Sequence, residues 1–187
     1  MIKKFLFFGA LLTLFGFQAS AQQTPVTSDS EQKILIAYYS VSGNTEQVAE
    51  AIQKDIGGDL YQIKTVSAYP TIKKELLSQA KREISIGYRP KLKTPLPDIS
   101  QYDIVFVGSP CWWGTIAPAV SSFISDKRLA GKTVVPFITH SGGGEQNTLN
   151  DFKRQCQNCL VKDGGWIGYG NRTFGLADWL KDLGFKK

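Results

Sequence analysis

One stretch constrains this chain more than any other: an apolar segment that runs into a loop of hydroxyl side chains. Residues 33–39 are mostly apolar between polar neighbours, which predicts a buried parallel strand. Beyond the loop, apolar residues recur at helical spacing from Val48 to Ile56, and two glycines end the pattern. The strand is therefore joined to a helix N-terminus by Ser40, Val41, Ser42, Gly43, Asn44 and Thr45.

This loop has the composition of an anion site. Backbone N–H groups and the positive end of the helix dipole meet at a helix N-terminus. No lysine follows Gly43, which excludes the nucleotide-binding P-loop pattern. Hydroxyl and amide donors without a charge suit a terminal phosphate monoester held without a metal. The alternative is an ordinary helix start with Ser42 or Asn44 as its N-cap.

The first 21 residues have the pattern of a secretory signal peptide. Lys3 and Lys4 precede an apolar run at 5–17 that is short for a membrane span, and Ala-Ser-Ala at 19–21 is a small-residue cleavage signal. The alternative is a retained N-terminal anchor. We expect a signal peptide at 1–21, a flexible leader at 22–32 and one domain at 33–187, secreted or periplasmic and without stable membrane insertion after cleavage.

The charge of the expected mature chain is mildly basic. Removing the signal peptide takes away two of the 22 basic residues and none of the 16 acidic ones, which leaves a net charge of +4. The basic residues are not clustered, so the sequence lacks the charge footprint of a nucleic-acid-binding protein.

Strand and helix patterns alternate through the rest of the chain. Further strands are predicted at 59–65, 102–109, 132–139 and 160–169, and further helices at 71–84, 116–124, 145–156 and 173–183. This alternation predicts an α/β fold, a doubly wound parallel sheet with helices on both faces. Pro136 within a core strand predicts a bulge or a distorted ladder. Since ligands of such sheets bind beyond the carboxyl ends of the strands, the loops after the first, third and fourth strands are the candidate site.

The loop after the third strand carries two adjacent tryptophans. Its candidate binding residues are Pro110, Cys111, Trp112, Trp113, Gly114 and Thr115. We expect one indole, with Trp113 favoured, to form an aromatic wall against a flat ligand. Core or interface packing of both rings is the alternative.

The loop after the fourth strand is rich in glycine, which lets backbone N–H groups approach a ligand closely. Its candidate residues are Ser141, Gly142 and Gly143, and a flexible surface turn is the alternative. A phosphate loop, an aromatic wall and a donor loop together describe a ligand with a phosphate at one end and a flat polar ring at the other. FMN fits this outline.

The sequence resembles the flavodoxin family over residues 33–185. The resemblance rests on YSVSGNT at 39–45, Tyr69-Pro70 with AKRE at 80–83, Arg89-Pro90 and PCWWGT at 110–115. It implies a five-stranded parallel sheet in the order 2-1-3-4-5 and non-covalent FMN. The short segment between Cys159 and Arg172 implies the short-chain form, while the basic, secreted character differs from the acidic cytoplasmic electron carriers.

The cysteines and the histidine leave several alternatives open. Cys156 and Cys159 could form a disulfide, a thiol redox pair or two free thiols. Cys111 is expected to pack as a small apolar group. His140 cannot build a multi-histidine metal site alone, and no metal site is predicted; a polar loop role is favoured over proton donation.

Two functions are consistent with these observations. The first is an FMN-dependent redox protein that transfers electrons to a partner or to a small acceptor such as a quinone. The second is a non-catalytic FMN-binding module. The sequence does not identify the electron donor, the acceptor or the oligomeric state.

Overall fold

The computed structural model describes residues 32–93 and 95–185. The predicted signal peptide and nearly all of the predicted leader lie outside the described residues. The described helices and strands alternate as predicted, in the order β1 (Ile34–Tyr38), α1 (Asn44–Ile56), β2 (Asp59–Gln62), α2 (Lys73–Ser85), β3 (Ile104–Trp112), β4 (Thr115–Ile116), α3 (Pro118–Ile124), β5 (Thr133–His140), α4 (Thr148–Gln155), β6 (Leu160–Val161), β7 (Trp166–Tyr169) and α5 (Leu176–Asp182).

The sheet has the predicted parallel order. Strands β2, β1, β3 and β5 are neighbours in that sequence, and both β6 and β7 pair with β5 on its outer side. Residues 162–165 separate β6 from β7, so these two strands are the halves of one interrupted fifth strand. The order is therefore equivalent to 2-1-3-4-5, and the fold prediction is confirmed.

Apolar cores lie on both faces of the sheet. Every residue of β1 is buried, as expected for a strand covered on both sides. One core packs the sheet against α2, α3 and α4 through side chains such as Ala80, Phe123 and Phe152. The other packs it against α1 and α5 through side chains such as Ile52 and Leu180.

The distortion expected at Pro136 is found on one side of its strand only. The ladder between β3 and β5 continues past the proline, with Val107 opposite Pro136. On the other side, β6 pairs up to Val134 and β7 resumes at Phe137, so the break in the fifth strand falls beside the residue that lacks an N–H.

Helices α2 and α3 start two residues later than predicted, and α4 and α5 start three residues later. Helix α4 begins at Thr148 rather than at 145, because the chain turns through Gln146 in a left-handed conformation with φ 48°. Helix α5 begins at Leu176, after Gly175 with φ 71°. None of the helices in the described ranges is both long and apolar enough to cross a membrane.

Candidate functional site

The loop between β1 and α1 leaves its helix terminus uncapped by side chains. Gly43 is the N-cap residue with φ 82°, and no side-chain hydrogen bond caps the start of α1. The alternative of Ser42 or Asn44 as an N-cap is therefore wrong. The first N–H groups of a helix lack intrahelical partners, so this terminus keeps donors for a ligand.

The hydroxyl group of Ser40 points to the same use. Its Oγ atom is buried and has no hydrogen-bond partner among the residues that the structure describes. A buried hydroxyl without a partner is costly, and in native proteins it often contacts an ion, a water or a ligand group. A phosphate oxygen at the loop would satisfy this group, so the residues present fit a phosphate-bearing cofactor.

Thr45, predicted to bind the phosphate, also makes a contact within the protein. Its Oγ1 atom is hydrogen-bonded to Thr139 Oγ1 at 2.8 Å, and both residues are buried. This contact ties the start of α1 to the carboxyl end of β5. The hydroxyl of Thr45 thus holds the loop against the sheet.

The predicted loop at 110–115 is a tight β-hairpin. Strand β3 continues through Trp112, and Thr115 pairs with it antiparallel at the start of β4. The two turn residues, Trp113 and Gly114, have φ values of 52° and 79°. Positive φ at both positions is the mark of a type I′ turn, which glycine adopts freely and a tryptophan adopts only under constraint.

The first tryptophan lies in the core. Trp112 is only 7% exposed and packs against Tyr39 and Tyr69, with ring centroids 5.7 and 5.3 Å away. The Tyr69 hydroxyl donates a hydrogen bond to Glu83. Burial, together with the negative charge of Glu83, raises the pKa of Tyr69 and of Tyr39. Both phenols therefore stay neutral. The rings of Tyr39, Tyr69 and Trp112 pack together beneath the hairpin.

The second tryptophan lies outside the core. Trp113 is 53% exposed, and its indole N–H donates to the Leu77 carbonyl at 2.9 Å. The ammonium of Lys81 lies 4.8 Å from the centre of its ring. These contacts hold the Trp113 indole in place. Because Trp113 is exposed and Trp112 is buried, Trp113 is the tryptophan that can contact a ligand.

The glycine loop after β5 folds back onto His140. The N–H groups of Gly142 and Gly144 donate to Nδ1 of His140 at 3.1 and 3.2 Å. His140 thus accepts at Nδ1 and packs edge-on against Tyr169. Two of the N–H groups in this loop are used inside the protein, which supports the polar loop role predicted for His140.

Gln146, which the sequence interpretation missed, joins the hairpin to the glycine loop. A methyl group at Gly114 would lie 2.5 Å from its Oε1 atom, and one at Gly143 would lie 2.5 Å from its Nε2 atom. These short distances show that the end of the Gln146 side chain lies close to both glycines. No local sequence signal marks Gln146, because its role depends on a contact with a distant loop.

Hydrogen bonds connect the predicted loops along one edge of the sheet. The Asn147 N–H donates to the Gly114 carbonyl at 3.1 Å, and Thr148 Oγ1 lies 3.3 Å from Cys111 Sγ. Asn171, after β7, donates to the side chain of Gln47 in α1. These bonds connect the hairpin to the start of α4, and the segment after β7 to α1.

Cys111 and the other two cysteines have different environments. Cys111 is a half-buried free thiol, as expected from its packing role. Cys156 and Cys159 form a disulfide just beyond α4. Within the described ranges, no three His, Cys, Asp or Glu side chains come together as a metal cluster.

Comparison with known proteins identifies the family. A family model described as Flavodoxin matches residues 33–183. The chain belongs to the flavodoxin family.

Solved structures extend this relationship. A candidate flavoprotein from Bacteroides eggerthii DSM 20697 is 33% identical, with a TM-score of 0.71 over 83% of this chain and 99% of that one. A flavoprotein from Lactobacillus acidophilus NCFM, solved in complex with FMN, is 22% identical, with a TM-score of 0.67 over 79% and 98% of the two chains. At that identity the second likeness shows the shared flavodoxin fold.

One curated relative is named as an oxidoreductase. The NAD(P)H quinone oxidoreductase YCP4 of Candida albicans is 28% identical over 135 residues, which make up 64% of this chain. The alignment spans only 44% of the relative's length.

Proposed function

We propose that this flavodoxin-family protein binds FMN non-covalently and uses it to transfer electrons to a small acceptor such as a quinone. The observation that carries the proposal is the buried hydroxyl of Ser40 without a partner, beside the uncapped N-terminus of α1. A phosphate monoester would satisfy both features at once. The Lactobacillus protein solved with FMN and the quinone oxidoreductase name of the Candida relative support the choice of ligand and reaction.

The chain's own residues divide the binding task. Ser40 and the first-turn N–H groups of α1 would hold the phosphate. Backbone groups of the hairpin at 112–115 and of the loop at 141–143 would bind the polar edge of the ring, and Trp113 offers it an aromatic face. FMN, when bound, would accept electrons from a donor and pass them to the acceptor.

The disulfide supports a location outside the cytoplasm. Such bonds persist in oxidising compartments, which agrees with the predicted signal peptide. The disulfide lies at the carboxyl end of α4, and Cys156 is buried. Reactive thiols favour exposed helix N-termini, so this position does not favour a thiol-exchange function.

Two measurements on the purified protein test the proposal. The visible spectrum should show flavin bands, and added NADH or NADPH together with a soluble quinone should give steady turnover that depends on FMN. Binding of FMN without turnover for any donor and acceptor would favour the non-catalytic FMN-binding module. A Cys156→Ser variant should keep the turnover, since the disulfide is not assigned a catalytic role.

A further inference from the structure

A cleft lies beside the hairpin and has no lining residue from the phosphate loop. It has a volume of about 490 Å³ and is bounded by the hairpin, the start of α3, one side of α4 and the segment at 87–89. Small-molecule sites are typically about 300–1,000 Å³. Neither the loop at 40–45 nor the loop at 141–143 contributes to its lining, and its overlap with the candidate flavin site is confined to the hairpin residues Trp113, Gly114 and Thr115.

The cleft carries a net positive charge from two arginines. Asp151, only 5% exposed, accepts a hydrogen bond from Asn147 Nδ2 at 2.8 Å and forms an ion pair with Arg154. The buried carboxylate is thereby neutralised, and it orients the Arg154 guanidinium. Arg89 also lines the cleft. Its side chain forms no hydrogen bond or ion pair with another residue in the described ranges. Two arginines and one carboxylate thus line the cleft, which leaves one positive charge for a ligand.

Aromatic side chains complete the lining. Trp113 and Tyr88 both line the cleft and are 53% and 49% exposed. Tyr88 is positioned by its backbone N–H, which donates to the Glu83 carbonyl at 2.8 Å at the end of α2. The hydrogen bond from Trp113 to Leu77 fixes the other aromatic group. The Trp113 ring is therefore held in place before any ligand binds, and the backbone of Tyr88 is fixed beside it.

We propose that this cleft is a binding site for a small aromatic anion, such as an aromatic carboxylate. The guanidinium groups of Arg89 and Arg154 match a carboxylate in charge and in their planar array of donors. The aromatic ring of the ligand packs against Trp113 and Tyr88. Because the hairpin also borders the candidate flavin site, the anion and the flavin would bind beside the same turn.

Calorimetric titration with 2-naphthoate tests this assignment on the full mature protein after FMN has been added. Arg89→Gln is the decisive variant, because its side chain has no partner in the described protein to lose. Arg154→Gln is the second variant, with its stability checked because it leaves Asp151 buried without its cation. Lys54→Gln is the matched control, since it removes one positive charge from α1 on the opposite face of the sheet.

The wild-type protein should bind one equivalent of 2-naphthoate. Arg89→Gln and Arg154→Gln should each weaken binding about tenfold or more, whereas Lys54→Gln should bind as the wild type does. The neutral amide, 2-naphthamide, should bind at least tenfold more weakly. The proposal is overturned if the wild type shows no saturable binding, if Arg89→Gln binds equally well, or if 2-naphthoate displaces FMN. FMN affinity, measured separately for each variant, tests the flavin proposal independently of this one.

Discussion

The loop at 40–45 and the hairpin at 110–116 lie at the same edge of the sheet, but their polar groups are used differently. In the loop, the first turn of α1 has no side-chain cap and the Ser40 hydroxyl has no partner in the described protein. In the hairpin, the Trp113 indole donates to Leu77 and the Gly114 carbonyl accepts from Asn147. Polar groups without a partner indicate where a ligand binds. Polar groups that are hydrogen-bonded within the protein instead stabilise the conformation of their segment.

The largest effect should distinguish the two tryptophans of the hairpin. Trp112→Ala should lower the free energy of unfolding by about 3–5 kcal/mol, because a buried indole is lost from the core. Trp113→Ala should lower it by less than about 1 kcal/mol, since that side chain is largely exposed.

Denaturant unfolding of both variants measures this difference, with Trp112→Phe as an intermediate control. FMN titration of the same variants tests the aromatic wall. Trp113→Ala should weaken FMN by about 1–3 kcal/mol, and unchanged affinity would exclude Trp113 from the ring site.

The next effect should arise at Gly43. Its φ of 82° is strained for any other L-residue, and it precedes the helix terminus that we assign to the phosphate. Gly43→Ala should cost about 1 kcal/mol of stability and weaken FMN about tenfold or more.

Gly57→Ala provides the matched control. Gly57 has a similar φ of 74° at the other end of α1 and no atom within 4 Å of an added methyl group. This variant should lose similar stability but keep its FMN affinity. Equal losses of FMN affinity in both variants would show that helix strain, not the loop, controls binding.

Ser40→Ala should affect stability and binding differently. Removing a buried hydroxyl that lacks a partner should leave the stability of the FMN-free protein unchanged or slightly raised. FMN affinity should fall about tenfold, because one hydrogen bond to the phosphate is lost.

Ser122→Ala is the matched control, because it removes a hydroxyl that has a hydrogen-bond partner within the protein. The Ser122 hydroxyl donates to the Pro90 carbonyl at 2.8 Å, so its removal should cost stability and leave FMN affinity unchanged. If Ser40→Ala instead destabilises the FMN-free protein and binds FMN normally, the buried hydroxyl has a purely structural role.

The smallest effect concerns the reduction potential. Glu145 is the one carboxylate in the segments at 40–45, 110–115 and 140–145, so little negative charge opposes the anionic reduced flavin. We expect a semiquinone–hydroquinone potential less negative than in acidic flavodoxins. Glu145→Gln should raise it by roughly 10–40 mV, and Glu50→Gln on α1 should change it less. A wild-type potential as low as in the acidic carriers would show that hydrogen bonding, not charge, sets the value.

The sequence predicts the features that depend on local periodicity. Buried strands such as β1, the amphipathic α1 and the order of elements are all evident from residue patterns, because burial on one or both faces imposes them. The resemblance to flavodoxins added the strand order. The hairpin at Trp113 was missed, although two residues ending in glycine between paired strands are a recognised turn signal.

Features that depend on long-range contacts could not be predicted in this way. The burial of Trp112 requires Tyr39 and Tyr69, which come from two other segments. The contacts of Gln146 with two glycine positions depend on how separate loops meet. The ion pair between Asp151 and Arg154 has helical spacing, but only the fold shows that it borders a cleft.

We expect the loop at 40–45 to bind the phosphate of FMN, and a comparison with riboflavin tests this most directly. Both ligands share the same ring and side chain, and they differ only in the phosphate. Fluorescence titration of the FMN-free protein should show FMN binding at least about 100-fold tighter than riboflavin, as expected for two or more charge-assisted hydrogen bonds. Equal affinity for the two ligands would contradict the account.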